Sequence, residues 1–276
     1  AVLYVLLEPC AHHGKTPPCA DLIIRHNIRK VIIGCRDPFV EVNGKGIEKL
    51  LAAGIVTETG VLEAVCKDLN KRFFTFHTQH RPYIILKWAQ TGDGKIGNYD
   101  NNRLHITGST TNRLVHKWRS EEAAILIGTN TAEMDNPQLT NRLWTGPSPT
   151  RVVVDMDLRL PPSLHIFDGR TPSIIFNTKM HGQQNNNLYY QIMRDNSVAH
   201  QIMHALYQLK ILSVLIEGGA QLLQSFIEDG YWDEARVITN HSIILHNGIS
   251  APALSNEKFI KEELIENDLL RYYVRT

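Results

Sequence analysis

An α/β protein built as two consecutive units is the fold class that the sequence predicts, and three observations predict it. Apolar runs of strand length alternate with amphipathic segments of helix length along most of the chain. The alternation is interrupted by the polar stretch His77-Thr78-Gln79-His80-Arg81-Pro82. All four cysteines, Cys10, Cys19, Cys35 and Cys66, precede that interruption. The expected organisation is a first unit over residues 1–76, a linker over 77–82 and a second unit over 83–276.

In the first unit, residues 1–7 read as an apolar strand already under way, so the chain is expected to be an excerpt whose first domain began earlier. Residues 18–26 form a short helix with proline at its start. Residues 29–34 make a second strand, 45–53 a helix stopped by Gly54, and 55–59 a third strand. The 3.6-residue period of 62–74 predicts an amphipathic helix. Strands separated by helices in this way imply a largely parallel sheet. In the second unit, strands are expected at 83–89, 123–128, 151–155, 173–177 and 212–217, with two more at 235–245 and 269–275. Helices are expected at 110–121, capped by Thr107 or Ser109, and at 198–209 and 220–228. Residues 181–197, with Gln183, Gln184 and three consecutive asparagines, read as loop.

The 276 residues suffice for two ordinary domains, and 43% apolar with 21% charged residues belongs to the globular class. A formal net charge of +1 argues against nonspecific nucleic-acid binding. No apolar run reaches the roughly 18 residues that span a bilayer, which makes a cytoplasmic enzyme the expectation. Reduced thiols fit the sparse cysteines better than a disulfide framework.

Chemistry is concentrated in a few segments. Pro9-Cys10 ends a strand and Cys19 opens a helix, an arrangement that brings two sulfurs together and favours the thiolate. The pair reads equally as two zinc ligands or as two unconnected thiols, with His12 and His13 as solvated loop residues. A hydrolytic zinc deaminase also needs a His-x-Glu element, and no histidine here has Glu two residues later. Gly92-Asp93-Gly94-Lys95-Ile96-Gly97 fits a dinucleotide fingerprint, but the polar run Asn98-Tyr99-Asp100-Asn101-Asn102 follows where a helix must open. Glu217-Gly218-Gly219 runs from a strand straight into a helix, either a phosphate cradle or an ordinary tight turn. Arg119 and Arg142 bracket a strand and a polar turn; they are either a forked grip on a phosphate or ordinary surface charge.

The run Leu7-Glu8-Pro9-Cys10-Ala11-His12-His13-Gly14-Lys15-Thr16-Pro17-Pro18-Cys19, with Ala20-Asp21, closely resembles the deaminase half of the bifunctional riboflavin-biosynthesis deaminase/reductase family. The resemblance continues through Lys87-Trp88-Ala89, Ile106-Thr107-Gly108, Gly128-Thr129-Asn130-Thr131, Asp135-Asn136-Pro137-Gln138-Leu139-Thr140 and Glu217-Gly218-Gly219. It implies a partial cytidine-deaminase-like domain followed by a dihydrofolate-reductase-like domain. NADPH contacts are implied at Ala89, His105, Thr131, Asp135 and Gly219. Substrate contacts are implied at Lys87, Arg119, Leu139, Arg142 and Glu217, with Lys87 and Glu217 polarising or protonating the reacting centre. Cys10 and Cys19 become zinc ligands in a site that this chain does not complete. The implied partner is a phosphorylated ribosylaminopyrimidine, and assembly into a homo-oligomer is expected. The chain departs from the family at His105, often Trp, at Asn136, often Asp, and at Met156, often small and polar.

Two further readings stand beside this one: a reductase of another pterin or pyrimidine with a degenerate front domain, and a noncatalytic deaminase-like module.

Overall fold

A computed structural model describes residues 1–14, 16–99 and 104–276. Lys15, and Asp100 to Asn102 of the polar run after Gly97, lie outside the described residues. The chain divides into two compact units, Ala1–Arg81 and Pro82–Thr276.

The first unit runs β1 (Val2–Leu7), α1 (Cys19–Arg25), β2 (Lys30–Cys35), α2 (Lys45–Ala52), β3 (Val56–Thr59), α3 (Glu63–Leu69) and α4 (Lys71–Gln79). Its three strands are parallel, in the order β1-β2-β3. The central strand is buried almost throughout, so it reads as a continuous apolar run and not as an alternation. Ala20, Ile23, Val31, Ile33, Leu50 and Ile55 form the core. The single helix expected over 62–74 is two helices. At Asn70 (φ −104°, ψ 17°) the side-chain amide donates to the Cys66 carbonyl at 2.8 Å and competes with the helical ladder. The second helix covers 77–79, half of the segment read as a linker, and stops at His80 in the left-handed region just before Pro82.

The second unit continues with β4 (Tyr83–Thr91), β5 (Lys95–Gly97), α5 (Ser109–Glu121), β6 (Ala124–Gly128), α6 (Thr129–Asp135), β7 (Thr150–Val154) and β8 (Ser173–Asn177). Then follow β9 (Gly182–Gln184), β10 (Asn187–Gln191), α7 (Val198–Gln208), β11 (Ser213–Glu217), α8 (Ala220–Glu228), β12 (Glu234–Asn240), β13 (Ile249–Ser250), β14 (Glu257–Ile265) and β15 (Asp268–Arg275). Ten strands form one mixed sheet in the order β14-β15-β12-β4-β11-β6-β7-β8-β10-β9. From β12 to β10 every neighbour is parallel; β9, β14 and β15 are antiparallel. One face packs Leu86, Leu126 and Ile216 against Ile202 and Met203 of α7 and Leu223 and Phe226 of α8. On the other face Ile125, Ile127 and Val153 meet Ala132 of α6, while Ile85 and Leu215 meet Val115 and Trp118 of α5. Residues 181–197 are not a plain loop. They fold as the β9–β10 hairpin, turning at Asn185 (φ 51°), because Leu188 and Tyr190 alternate toward the core beside β8.

Candidate active site

The parallel pairing of β4 with β11 sets Lys87 opposite Glu217, the last residue of its strand. Lys87 Nζ lies 3.6 Å from Glu217 Oε2. Arg119, in the last turn of α5, closes on the same carboxylate from the side: Nε donates to Oε1 at 2.8 Å and Nη2 to Oε2 at 2.7 Å. This two-point geometry is the strong form of the guanidinium–carboxylate pair. The three side chains are only 14%, 9% and 13% exposed for Lys87, Glu217 and Arg119.

Burial alone would push the Glu217 carboxyl up, but the Arg119 and Lys87 charges outweigh it and hold its pKa down to about 2. Burial, with Arg119 nearby, pushes the Lys87 ammonium below the usual lysine range although Glu217 pulls the other way. A lysine so placed gives up a proton more readily, while Glu217 stays an anion.

One turn before Arg119, His116 lies on the same helical face, 1% exposed. Its Nδ1 accepts the backbone N–H of Arg142 at 2.9 Å. Burial, then the Arg119 and Arg142 charges, lower its pKa to about 4, so the ring is neutral at physiological pH. Thr140 joins the two arginines: its carbonyl accepts from Arg119 Nη1 at 3.5 Å and its hydroxyl from Arg142 Nη1 at 2.9 Å. Arg119 is therefore largely committed to Glu217, whereas Arg142 is exposed. Leu139 takes a left-handed φ of 56° and its side chain, 2% exposed, packs in the core with Ile127, Ala132 and Val153. Leu139 thus anchors the turn by its side chain.

Gly218 and Gly219 leave β11 at φ 98° and 72°, values that disfavour any side chain. A Cβ on either would come within 3.0 and 3.2 Å of the Thr131 side chain. The glycines thus bring α8, whose N-terminus has no side-chain cap, against α6. Backbone N–H groups left unpaired at such a helix start suit a phosphate. Asp135 lies one turn beyond Thr131, and Ala89 shares the face of β4 that carries Lys87. No described contact ties the exposed His105 to this cluster.

In the first unit, the Cys19 backbone N–H donates to Cys10 Sγ at 3.3 Å, which brings the two residues together. Burial first, then the hydrogen bond that it shares with Cys10, raises the Cys19 thiol. His12 lies 3.9 Å from Glu41, and among the described residues no group of three or more His, Cys, Asp or Glu could hold a metal. Two ligands fall short of the three that a catalytic zinc needs. Glu8, passed over in the sequence, is 3% exposed and accepts backbone N–H groups from Asp37, Gly44, Gly46 and Ile47 at 2.9–3.3 Å. It fixes the loop entering α2 against the Pro9-Cys10 strand end.

An open α/β sheet with Glu217 at the carboxyl end of β11, beside a glycine-opened helix start, is an arrangement common among nucleotide-binding enzymes. Its relatives narrow that class to reductases. The chain belongs to the RibD family: the sequence profile of the RibD C-terminal domain matches residues 82–260. The riboflavin biosynthesis protein RibD of Aquifex aeolicus is 36% identical over 289 residues, covering 100% of this chain and 81% of that protein. The solved structure of a diaminohydroxyphosphoribosylaminopyrimidine deaminase/5-amino-6-(5-phosphoribosylamino)uracil reductase from Thermotoga maritima is 34% identical. It superposes with a TM-score of 0.89, covering 100% of this chain and 79% of that one. RibD of Acinetobacter baumannii is 28% identical with a TM-score of 0.87, covering 99% and 80%. The yeast riboflavin biosynthesis reductase Rib7, 16% identical at a TM-score of 0.57 over 76% of this chain and 100% of that one, shares the fold alone. The expected α/β fold of a deaminase/reductase protein is thereby met, and a reductase of some unrelated pterin or pyrimidine is not favoured. Among the described residues no helix is long and apolar enough to cross a membrane.

Proposed function

We propose that residues 82–276 reduce the ribosyl group of 5-amino-6-(5-phosphoribosylamino)uracil to its ribityl form with NADPH. One observation carries the reading. Lys87, with a lowered pKa, stands in the middle of β4 opposite Glu217, which Arg119 fixes as an anion at the end of β11, directly before the glycines that open α8.

The residues fit the cofactor: Thr131, Gly219 and the α8 amides would hold its phosphates, with Ala89 and Asp135 as further contacts, while His105 enters through the family resemblance alone. NADPH bound there supplies a hydride. The substrate side follows from the chain's own groups. Arg142, with Thr140, holds the sugar phosphate, so that the opened sugar lies with its C1' imine at Lys87. The Lys87 ammonium donates a proton to the imine nitrogen as C1' gains its hydrogen, which leaves a secondary amine. Glu217 then keeps Lys87 in place and favours its reprotonation. Arg119 orients Glu217. Held geometry of this kind supplies much of a rate enhancement.

For the first unit, the same reading makes Cys10 and Cys19 two ligands of a zinc ion. Among the described residues no third metal-holding side chain joins them. Self-association and a cytoplasmic setting belong to the reading as well.

The test is loss of the reduced nicotinamide absorbance when the phosphoribosylaminouracil is added to the whole chain. Consumption that depends on this pyrimidine is expected, faster with NADPH than with NADH. An unchanged absorbance with a correctly folded protein rules the assignment out.

A further inference from the structure

We propose that His116 is a positioning residue that places Arg142, and thereby sets the preference of this site for a phosphorylated sugar over an unphosphorylated one. The inference rests on the reductase reading and deepens it. Arg142 lies in the connection between α6 and β7, residues 136–149, most of which has no regular structure. Around it the connection is held by exposed contacts: the Asn141 amide donates to the Trp144 and Gly146 carbonyls, and the Asn141 N–H to Ser148 Oγ. The His116 contact is of another kind. It is made by a side chain 1% exposed, it joins residues 26 apart in sequence, and it comes from the same face of the helix that delivers Arg119.

The chemistry of the contact fixes the ring. To accept the Arg142 N–H, Nδ1 must be unprotonated, so the proton of the neutral imidazole resides on Nε2. Burial and the two flanking guanidinium groups keep the ring neutral, which protects the acceptor at every working pH. Remove the acceptor and a backbone N–H reaching into a buried site loses its partner. The backbone at Arg142 must then shift, and its guanidinium moves off the line it shares with Thr140.

The experiment measures KM and kcat with the phosphorylated substrate and its dephosphorylated counterpart, for the whole chain carrying His116→Leu, His116→Gln, His116→Asn and Arg142→Ala. His116→Leu is expected to raise KM for the phosphorylated substrate roughly tenfold or more, the scale of one lost buried hydrogen bond. The KM for NADPH, the kcat and the KM for the dephosphorylated substrate should stay within about twofold. Asparagine, whose amide oxygen can occupy the place of Nδ1, should restore the KM, while glutamine should not. The double variant His116→Leu/Arg142→Ala should lose no more than Arg142→Ala alone.

An unchanged phosphate KM in His116→Leu overturns the proposal. So does a uniform fall in all parameters with a lowered melting temperature and no rescue by asparagine, the mark of a merely structural residue. Calorimetric binding of ribose 5-phosphate separates this failure from failure of the reductase reading. Binding lost in both His116→Leu and Arg142→Ala supports the positioning role even if no reduction is observed. Equal binding by wild type and His116→Leu refutes it even if reduction proceeds.

Discussion

Replacing Arg119 by methionine is expected to destabilise the protein by about 3–5 kcal/mol, the loss found when one partner of a buried ion pair is removed. The variant leaves Glu217 buried with only Lys87, at 3.6 Å, to balance it. Denaturant unfolding of the whole chain near pH 7 measures the effect. The pH dependence gives a sharper test. In the wild type the folded carboxyl has a pKa of about 2 against an ordinary 4.5, so its stabilising contribution is fully present above pH 4.5 and is lost as pH falls from 4.5 toward 2. In Arg119→Met the carboxyl pKa rises, the acid-dependent loss shrinks, and the gap between variant and wild type should narrow below pH 4.5. A gap that stays constant down to pH 2 would mean that Arg119 stabilises by packing, not through Glu217.

Replacing Lys87 by methionine should produce the opposite phenotype. Its ammonium is already penalised by burial, and Glu217 keeps both hydrogen bonds from Arg119, so the fold should tolerate the change. The rate should not. Loss of a positioned proton donor costs about 10²–10⁴ in kcat, with little effect on KM for a substrate gripped at its phosphate. The two variants together separate the roles of the cluster: Arg119 acts on Glu217, and Lys87 acts on the substrate. A Lys87→Met enzyme with near-normal kcat would remove Lys87 from the chemistry and leave only a structural pair.

The strands and helices that bury one clear face were legible in the sequence. The strand at 173–177 and the helix at 220–228 carry apolar patterns that nothing local opposes, and they form as expected. Misreadings came where local residue chemistry and tertiary packing disagree. The asparagine run at 185–187 looks like loop, yet Leu188 and Tyr190 beside it pay into a core that only β8 provides. Asn70 looks compatible with a continuous helix, yet its side chain captures the Cys66 carbonyl and splits it. At the site, Lys87, Arg119 and Glu217 were identifiable from the family resemblance. Their pairing was not, because it depends on the register of two strands more than a hundred residues apart in sequence. His116 was missed although its signal was present, a histidine three residues before Arg119 and hence on the same helical face. Glu8 was hidden for a different reason: a glutamate beside a cysteine reads as part of the metal motif, whereas its partners are backbone groups of a distant loop.

On the proposed function, the cluster of Lys87, Arg119 and Glu217 serves hydride transfer to the sugar carbon of a phosphorylated ribosylaminopyrimidine. The most direct test of that role is a single turnover of the whole chain with NADPH deuterated at its reactive carbon, followed by mass analysis of the product. A ribityl product carrying one deuterium at C1' is expected from the wild type, its formation strongly slowed by Lys87→Met. A ribityl product without deuterium, or with the label elsewhere than C1', would contradict it.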